Sequence, residues 1–214
     1  MGFLKGGPFY HLTGRVGNNV GRVVDGKNVF TMAPASGNRT PSMAQLVIQQ
    51  KLGLVTPWLS DMSEFIRIGF ANHPSGMSAW NAAVSYNLLN AVTGAAPNFT
   101  INYPMVKFSV GKLPKARNMA MATTEDAQLD FSWLATVPDL TKGLPTDKLV
   151  LVVYNPAKQE WELSVGAAMR SSLSYDMMLP ADWSGDNVQV WTSFISADDE
   201  LVSTTVSLGA SVVQ

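Results

Sequence analysis

Along this chain the spacing of apolar positions runs from a period of two to one near 3.6 and back to two, so three kinds of segment follow one another. Up to residue 34, short Val-rich runs are broken by glycines, with Gly14, Gly17 and Gly21 spaced through G-R-V-G-N-N-V-G. Asp25-Gly26, between V-V and K-N-V-F, is a two-residue hairpin signal, and Gly17-Asn18-Asn19 offers a second turn. Strands are predicted near 9–16, 19–24 and 27–32. Three strands with so few large side chains cannot hold a core alone, so residues 1–34 read as a Gly/Val-rich β-arm that needs the rest of the chain or a neighbour.

Thr40-Pro41 then supplies an N-cap followed by proline at the first helical position. Met43, Leu46, Val47, Leu54 and Val55 form the apolar face of the predicted helix, and Pro57 is expected to break it near Val55. A second helical stretch places Trp58, Leu59, Met62, Phe65, Ile66 and Phe70 inward and Asp61, Glu64 and Arg67 outward. After the Pro74-Ser75-Gly76 turn, Ser78 caps a third helix that runs towards Gly94. From Asn98 the period is two, with a first strand at 99–103 and then 105–111, 127–134, 148–154, 160–165, 172–179, 187–196 and 200–212. Seven or so short strands separated by turn residues describe an antiparallel sandwich. The expected organisation is therefore α+β: an arm at 1–34, a helical segment at 35–98 and a β-sandwich at 99–214.

Composition adds two points. Charged residues make up only 14% of the chain, against about 25% in a typical soluble protein, so much of the surface is neutral and suited to being covered by a partner. The absence of cysteine excludes disulfides, thiolate metal sites and thiol nucleophiles. No run approaches the roughly 18 apolar residues of a membrane helix and no signal peptide is visible, which leaves cytoplasmic, virion-borne or unconventionally exported locations open.

Charge is divided unevenly. Residues 1–117 carry 11 basic and 3 acidic side chains and residues 118–214 carry 4 and 13, although the net charge is −1. Oppositely charged ends on one chain favour head-to-tail contact between copies.

Two resemblances follow from motifs. L-D-F-S-W, with Trp133, L-V-L-V-V-Y-N, ending near Tyr154, and the L-P segment before Trp183 and Trp191 resemble the second, third and sixth strands of a fibronectin type III or immunoglobulin-like sandwich. The M-G-F-L-K-G-G opening, N-R-T-P-S-M-A-Q, W-N-A-A-V-S-Y-N-L-L-N-A-V-T-G, L-V-V-Y-N-P and F-I-S-A-D-D resemble an uncharacterised bacterial family across nearly the whole chain. The first resemblance implies a fold and the second implies the same two-part architecture; neither implies an activity.

Candidate chemistry is sparse. His11 and His73 are the only histidines, in segments that suggest no nucleophile–base–acid triad, and no His pair has metal-ligand spacing. Asp198-Asp199-Glu200 lacks the spaced oxygens of a calcium loop. Glu160 and Glu162 share a strand face as an exposed pair over a Trp161 core. The glycines at 14, 17 and 21 do not complete a phosphate loop and instead suit close backbone approach. Arg15, Arg22, Lys27 and Arg39 with Phe9, Tyr10 and Phe30 are too few for a dedicated nucleic-acid surface, and the N-x-T matches at 38–40 and 98–100 read as a helix cap and strand residues.

The expectation is a non-enzymatic structural subunit without cofactor, metal or small-molecule substrate, whose partner is itself. The basic arm (Gly14, Arg15, Gly17, Gly21, Arg22, Lys27) would meet acidic turns (Asp182, Asp186, Asp198, Asp199, Glu200) of the next copy in a filament, tube or other ordered oligomer. Two alternatives stay open: a phage or phage-derived virion component of head, tail or ring, and a glycan- or protein-binding module using Trp161 or Trp183.

Overall fold

A computed structural model describes residues 2–7, 9–24, 26–33, 40–73, 76–135 and 143–214. It divides into two units, Met1–Ser42 and Met43–Gln214. The hairpin residue Asp25, the sequon residues Asn38 and Arg39, and Pro74-Ser75 of the expected turn lie outside the described residues.

The first unit is an antiparallel sheet of β1 (Gly2–Leu4), β2 (Gly14–Val16), β3 (Asn19–Val24) and β4 (Lys27–Met32), ordered β1-β4-β3-β2. The hairpin between β3 and β4 falls as predicted, with Val24 opposite Lys27. The strand expected from residue 9 begins only at Gly14, because residues 9–12 are taken up by turns: Tyr10 N–H donates to the Gly7 carbonyl and Leu12 N–H to that of Phe9. The first strand of the sheet comes instead from the chain's opening residues, pairing Phe3 with Val29. At Gly21 a side chain is excluded, since a Cβ there would lie 2.4 Å from the Leu12 carbonyl oxygen. This is the close backbone approach that strand glycines signal.

The second unit opens with α1 (Met43–Leu59), a 3-10 turn at Ser60–Met62, α2 (Ser63–Gly69) and α3 (Ala79–Asn90). Ser78 caps α3, its hydroxyl accepting from Asn81 N–H at 3.3 Å. Contrary to expectation, α1 runs through Pro57. The carbonyl orphaned by the missing N–H is that of Gly53, and both residues are exposed, so water can satisfy it. Nor is the N-terminal half of α1 inward: Met43, Leu46, Ile48 and Leu52 are exposed, and burial begins only around Leu54 and Val55. The following stretch matches its pattern, with Leu59, Met62, Phe65, Ile66 and Phe70 buried.

A hairpin of β5 (Val92–Ala95) and β6 (Asn98–Ile101) precedes seven strands: β7 (Arg117–Ala122), β8 (Gln128–Leu134), β9 (Lys148–Asn155), β10 (Glu160–Met169), β11 (Ser174–Met178), β12 (Asn187–Ile195) and β13 (Val206–Val212). They form antiparallel sheets ordered β10-β9-β12-β13 and β11-β8-β7. This α+β arrangement is consistent with the expected immunoglobulin or fibronectin III-like sandwich. Between the sheets lie Leu129, Phe131 and Trp133 from β8 and Leu151, Val190 and Phe194 from the larger sheet. The larger sheet's other face, through Val150, Val152, Trp191 and Ile195, packs on the helices. Burial on both faces explains why L-V-L-V-V-Y is a continuous apolar run.

Two predicted strands move. Residues 105–111 form no strand, although Val106 and Phe108 alternate inward, because side chains satisfy the backbone. Thr205 Oγ1 accepts from Phe108 and Ser109 N–H at 3.1 and 2.9 Å, and Asn87 Oδ1 from Lys107 N–H at 2.9 Å. The same use of Thr205 shortens the strand predicted at 200–212 to its second half. The sandwich's first strand is instead β7, whose R-N-M-A-M-A sequence carries little β-propensity. One ion pair is buried here: Arg170 Nε donates to Asp147 Oδ2 at 2.9 Å, and its guanidinium lies 3.9 Å from the Phe194 ring centroid. Burial pulls the Arg170 pKa down against the opposing effect of Asp147.

Candidate functional site

The register of the N-terminal sheet places its basic residues on one face. Arg15 is opposite Val20, Arg22 opposite Val29 and Lys27 opposite Val24, so residues 15, 20, 22, 24, 27 and 29 share a side by the two-residue alternation of strands. Arg15, Arg22 and Lys27 thus follow one another diagonally across β2, β3 and β4, at spacings of about 7–8 Å. All three are exposed. The Arg15 Nε–H donates to the Gly17 carbonyl at 2.9 Å, holding that side chain beside the turn.

The sheet is also poorly covered. Gly21, Asn28 and Val29 are buried, whereas Phe3 is 57% exposed, Val16 51%, Val23 48% and Met32 77%. Phe9 stacks on Phe30 at 6.2 Å between centroids yet remains exposed. The buried Asn28 Oδ1 has no hydrogen-bond partner among the described residues.

The predicted acidic turns do not form one patch. Asp182 and Asp186 precede β12, while Asp198, Asp199 and Glu200 follow it, so the length of a nine-residue strand, about 30 Å, separates the two groups. Most of these acids are already engaged within the chain. The Lys158 ammonium donates to the Asp182 carboxylate and carbonyl and lies 3.9 Å from Asp186, which accepts from Asn155 Nδ2 at 2.7 Å. Asp199 pairs with Lys148 at 2.9 Å. Asp198 accepts from the Ser196 hydroxyl and from Glu200 N–H. The Lys158 hydrogen bond holds the Asp182 carboxyl below its usual pKa, and the Ser196 hydrogen bond does the same for Asp198.

A cleft unforeseen in the sequence opens where α1, β6, β9 and β10 meet. Trp58 from the end of α1, Tyr103 from the turn after β6, Tyr154 from β9 and Trp161 from β10 converge, with Trp58 and Tyr154 at 4.8 and 4.3 Å from Trp161. Behind them Trp191 donates its indole N–H to the Tyr103 carbonyl at 3.0 Å. Burial, and secondarily Tyr154, raises the Tyr103 pKa, keeping its phenol protonated. The Trp58 Nε1 is buried without a hydrogen-bond partner among the described residues. The cleft encloses about 460 Å³, with Asp61, Thr100 and Gln159 as polar lining. Lys51 sits nearby, 5.1 Å above the ring of the lining residue Phe99.

On the other side of Trp161 lies a second cleft of about 620 Å³, which shares Asp61, Gln159 and Trp161 with the first and adds Glu160 and Glu162. Three carboxylates and no Lys or Arg are among its described lining residues. Glu160 accepts the Trp183 indole N–H at 3.1 Å. Trp183 itself is fully buried, which corrects its expected place among exposed loop aromatics.

The profile of a family of unknown function, DUF6266, matches residues 11–209. The chain belongs to this family. No curated protein matches the DUF6266 chain. Among solved structures it is similar to the fibronectin type III domain of the human collagen alpha-1(XX) chain, at 18% identity and a TM-score of 0.35, covering 47% of this chain and 86% of that one. In the DUF6266 chain His11 belongs to the N-terminal unit, beside Tyr10, and His73 to the second, beside Phe70. Among the described residues no helix is long and apolar enough to cross a membrane.

Proposed function

We propose that this DUF6266 chain is a non-enzymatic structural subunit that associates with copies of itself through its N-terminal sheet. The observation that carries this reading is the sheet itself: four strands with almost no interior, whose cationic side carries the exposed Phe3 and Val24 beside a diagonal of three cations, while Val16, Val23 and Met32 are exposed on the other side. A sheet of this size needs apolar cover to persist in water. A second copy supplies cover of the right sign: residues 1–42 contain five basic and one acidic side chain, and residues 43–214 contain ten and fifteen. Apolar burial provides most of the affinity, while the charges steer and set register.

Sedimentation velocity over a concentration series tests the reading. Association that deepens with concentration and weakens between about 0.05 and 0.5 M salt is expected. A monomer at every concentration and salt contradicts it.

A further inference from the structure

The acidic turns before and after β12 were the expected counterpart of the basic arm, yet Lys158 and Lys148 already neutralise much of their charge and they are too far apart to act together. A better match lies beside Trp161. Glu160 and Glu162 occupy alternate positions on β10, about 7 Å apart, and Asp61 joins them around the same cleft. The diagonal Arg15–Arg22–Lys27 repeats at about 7–8 Å. Two of the three carboxylates thus stand at nearly the spacing of neighbouring cations on the diagonal.

We propose that the paired clefts around Trp161 are the acceptor site for the cationic face of the N-terminal sheet of another copy. Asp61, Glu160 and Glu162 supply the carboxylates, and Trp161 with its aromatic neighbours supplies the π-faces against which a guanidinium packs. This deepens the assembly reading and rests on it. The chemistry on both sides is specific. A guanidinium is planar and weakly hydrated, so it gains from an aromatic wall and a carboxylate together. Lys51 above Phe99 shows one cation already held over a ring of this region. The carboxylates in the lining disfavour an anionic occupant such as a nucleic acid. β10 is also an outer strand of its sheet, so its face is reached by a neighbour without displacing a strand.

Charge exchange in the full-length protein tests the assignment by sedimentation velocity at low salt. Glu162→Arg and Arg22→Glu each weaken self-association about tenfold, and the two combined restore it to within about threefold of the parent. Asp199→Arg, on the turn occupied by Lys148, leaves association unchanged. If the parent never associates, the assembly reading itself fails. If the parent associates but Glu162→Arg does so equally well, or the double variant stays as weak as the single ones, this acceptor assignment fails and the assembly reading stands. Tryptophan quenching by a neutral oligosaccharide, with association indifferent to the exchange, assigns the clefts to a sugar and overturns the proposal.

Discussion

β3 and β9 are both valine-rich strands in antiparallel sheets, but they lead opposite lives. In β9 every residue from Leu149 to Asn155 is buried, because one face meets the smaller sheet of the sandwich and the other meets the helices. In β3 only Gly21 is buried, and Arg22, Val23 and Val24 are exposed. Valine content makes a strand in both cases; the layers around the strand decide whether it is inside.

The largest expected contrast is in stability. Trp191→Ala removes a fully buried side chain from the core behind the aromatic cleft and is expected to cost about 3–5 kcal/mol, read as a lower urea midpoint. Arg170→Ala strands the Asp147 carboxylate inside the sandwich and is expected to cost about 3 kcal/mol in the same assay, whereas joint replacement by Arg170→Met and Asp147→Leu recovers most of that loss. Val24→Thr, on the cationic face of the N-terminal sheet, is expected to shift the midpoint by no more than about 0.5 kcal/mol while weakening association measured by sedimentation. A midpoint shift as large as that of the core variants would erase the distinction between the two regions.

The smallest effect is electrostatic. The Lys158 hydrogen bond depresses the Asp182 carboxyl pKa in the folded chain, so its contribution to stability is present at neutral pH and lost as pH falls through the folded value. Lys158→Ala is expected to raise the Asp182 carboxyl titration, followed by NMR, towards the ordinary aspartate range. An unchanged titration would show that Lys158 does not hold this turn.

Features governed by local chemistry were legible in the sequence. The Ser78 cap and the inward Leu59–Phe70 pattern depend on spacing along one element, and the Trp133 core position came with the resemblance carried by L-D-F-S-W. Features governed by distant partners were not. Residues 105–111 alternate like a strand, but Thr205 and Asn87 take their backbone bonds, while β7 pairs despite a methionine- and alanine-rich sequence that advertises no strand. Arg15, Arg22 and Lys27 were readable as a basic set, whereas their diagonal emerges only from the register. The aromatic cleft was hidden because Trp58, Tyr103, Tyr154 and Trp161 come from a helix, a turn and two strands with no shared period. Trp161 between Glu160 and Glu162 was its one visible trace.

The central claim is that the uncovered N-terminal sheet joins copies of this DUF6266 chain. Its most direct test compares the solution mass of the full chain with that of residues 43–214, at equal concentration and low salt, by sedimentation equilibrium. The account predicts a concentration-dependent oligomer for the full chain and a folded monomer for the shortened one. Equal masses for the two, with the shortened chain folded, would contradict it.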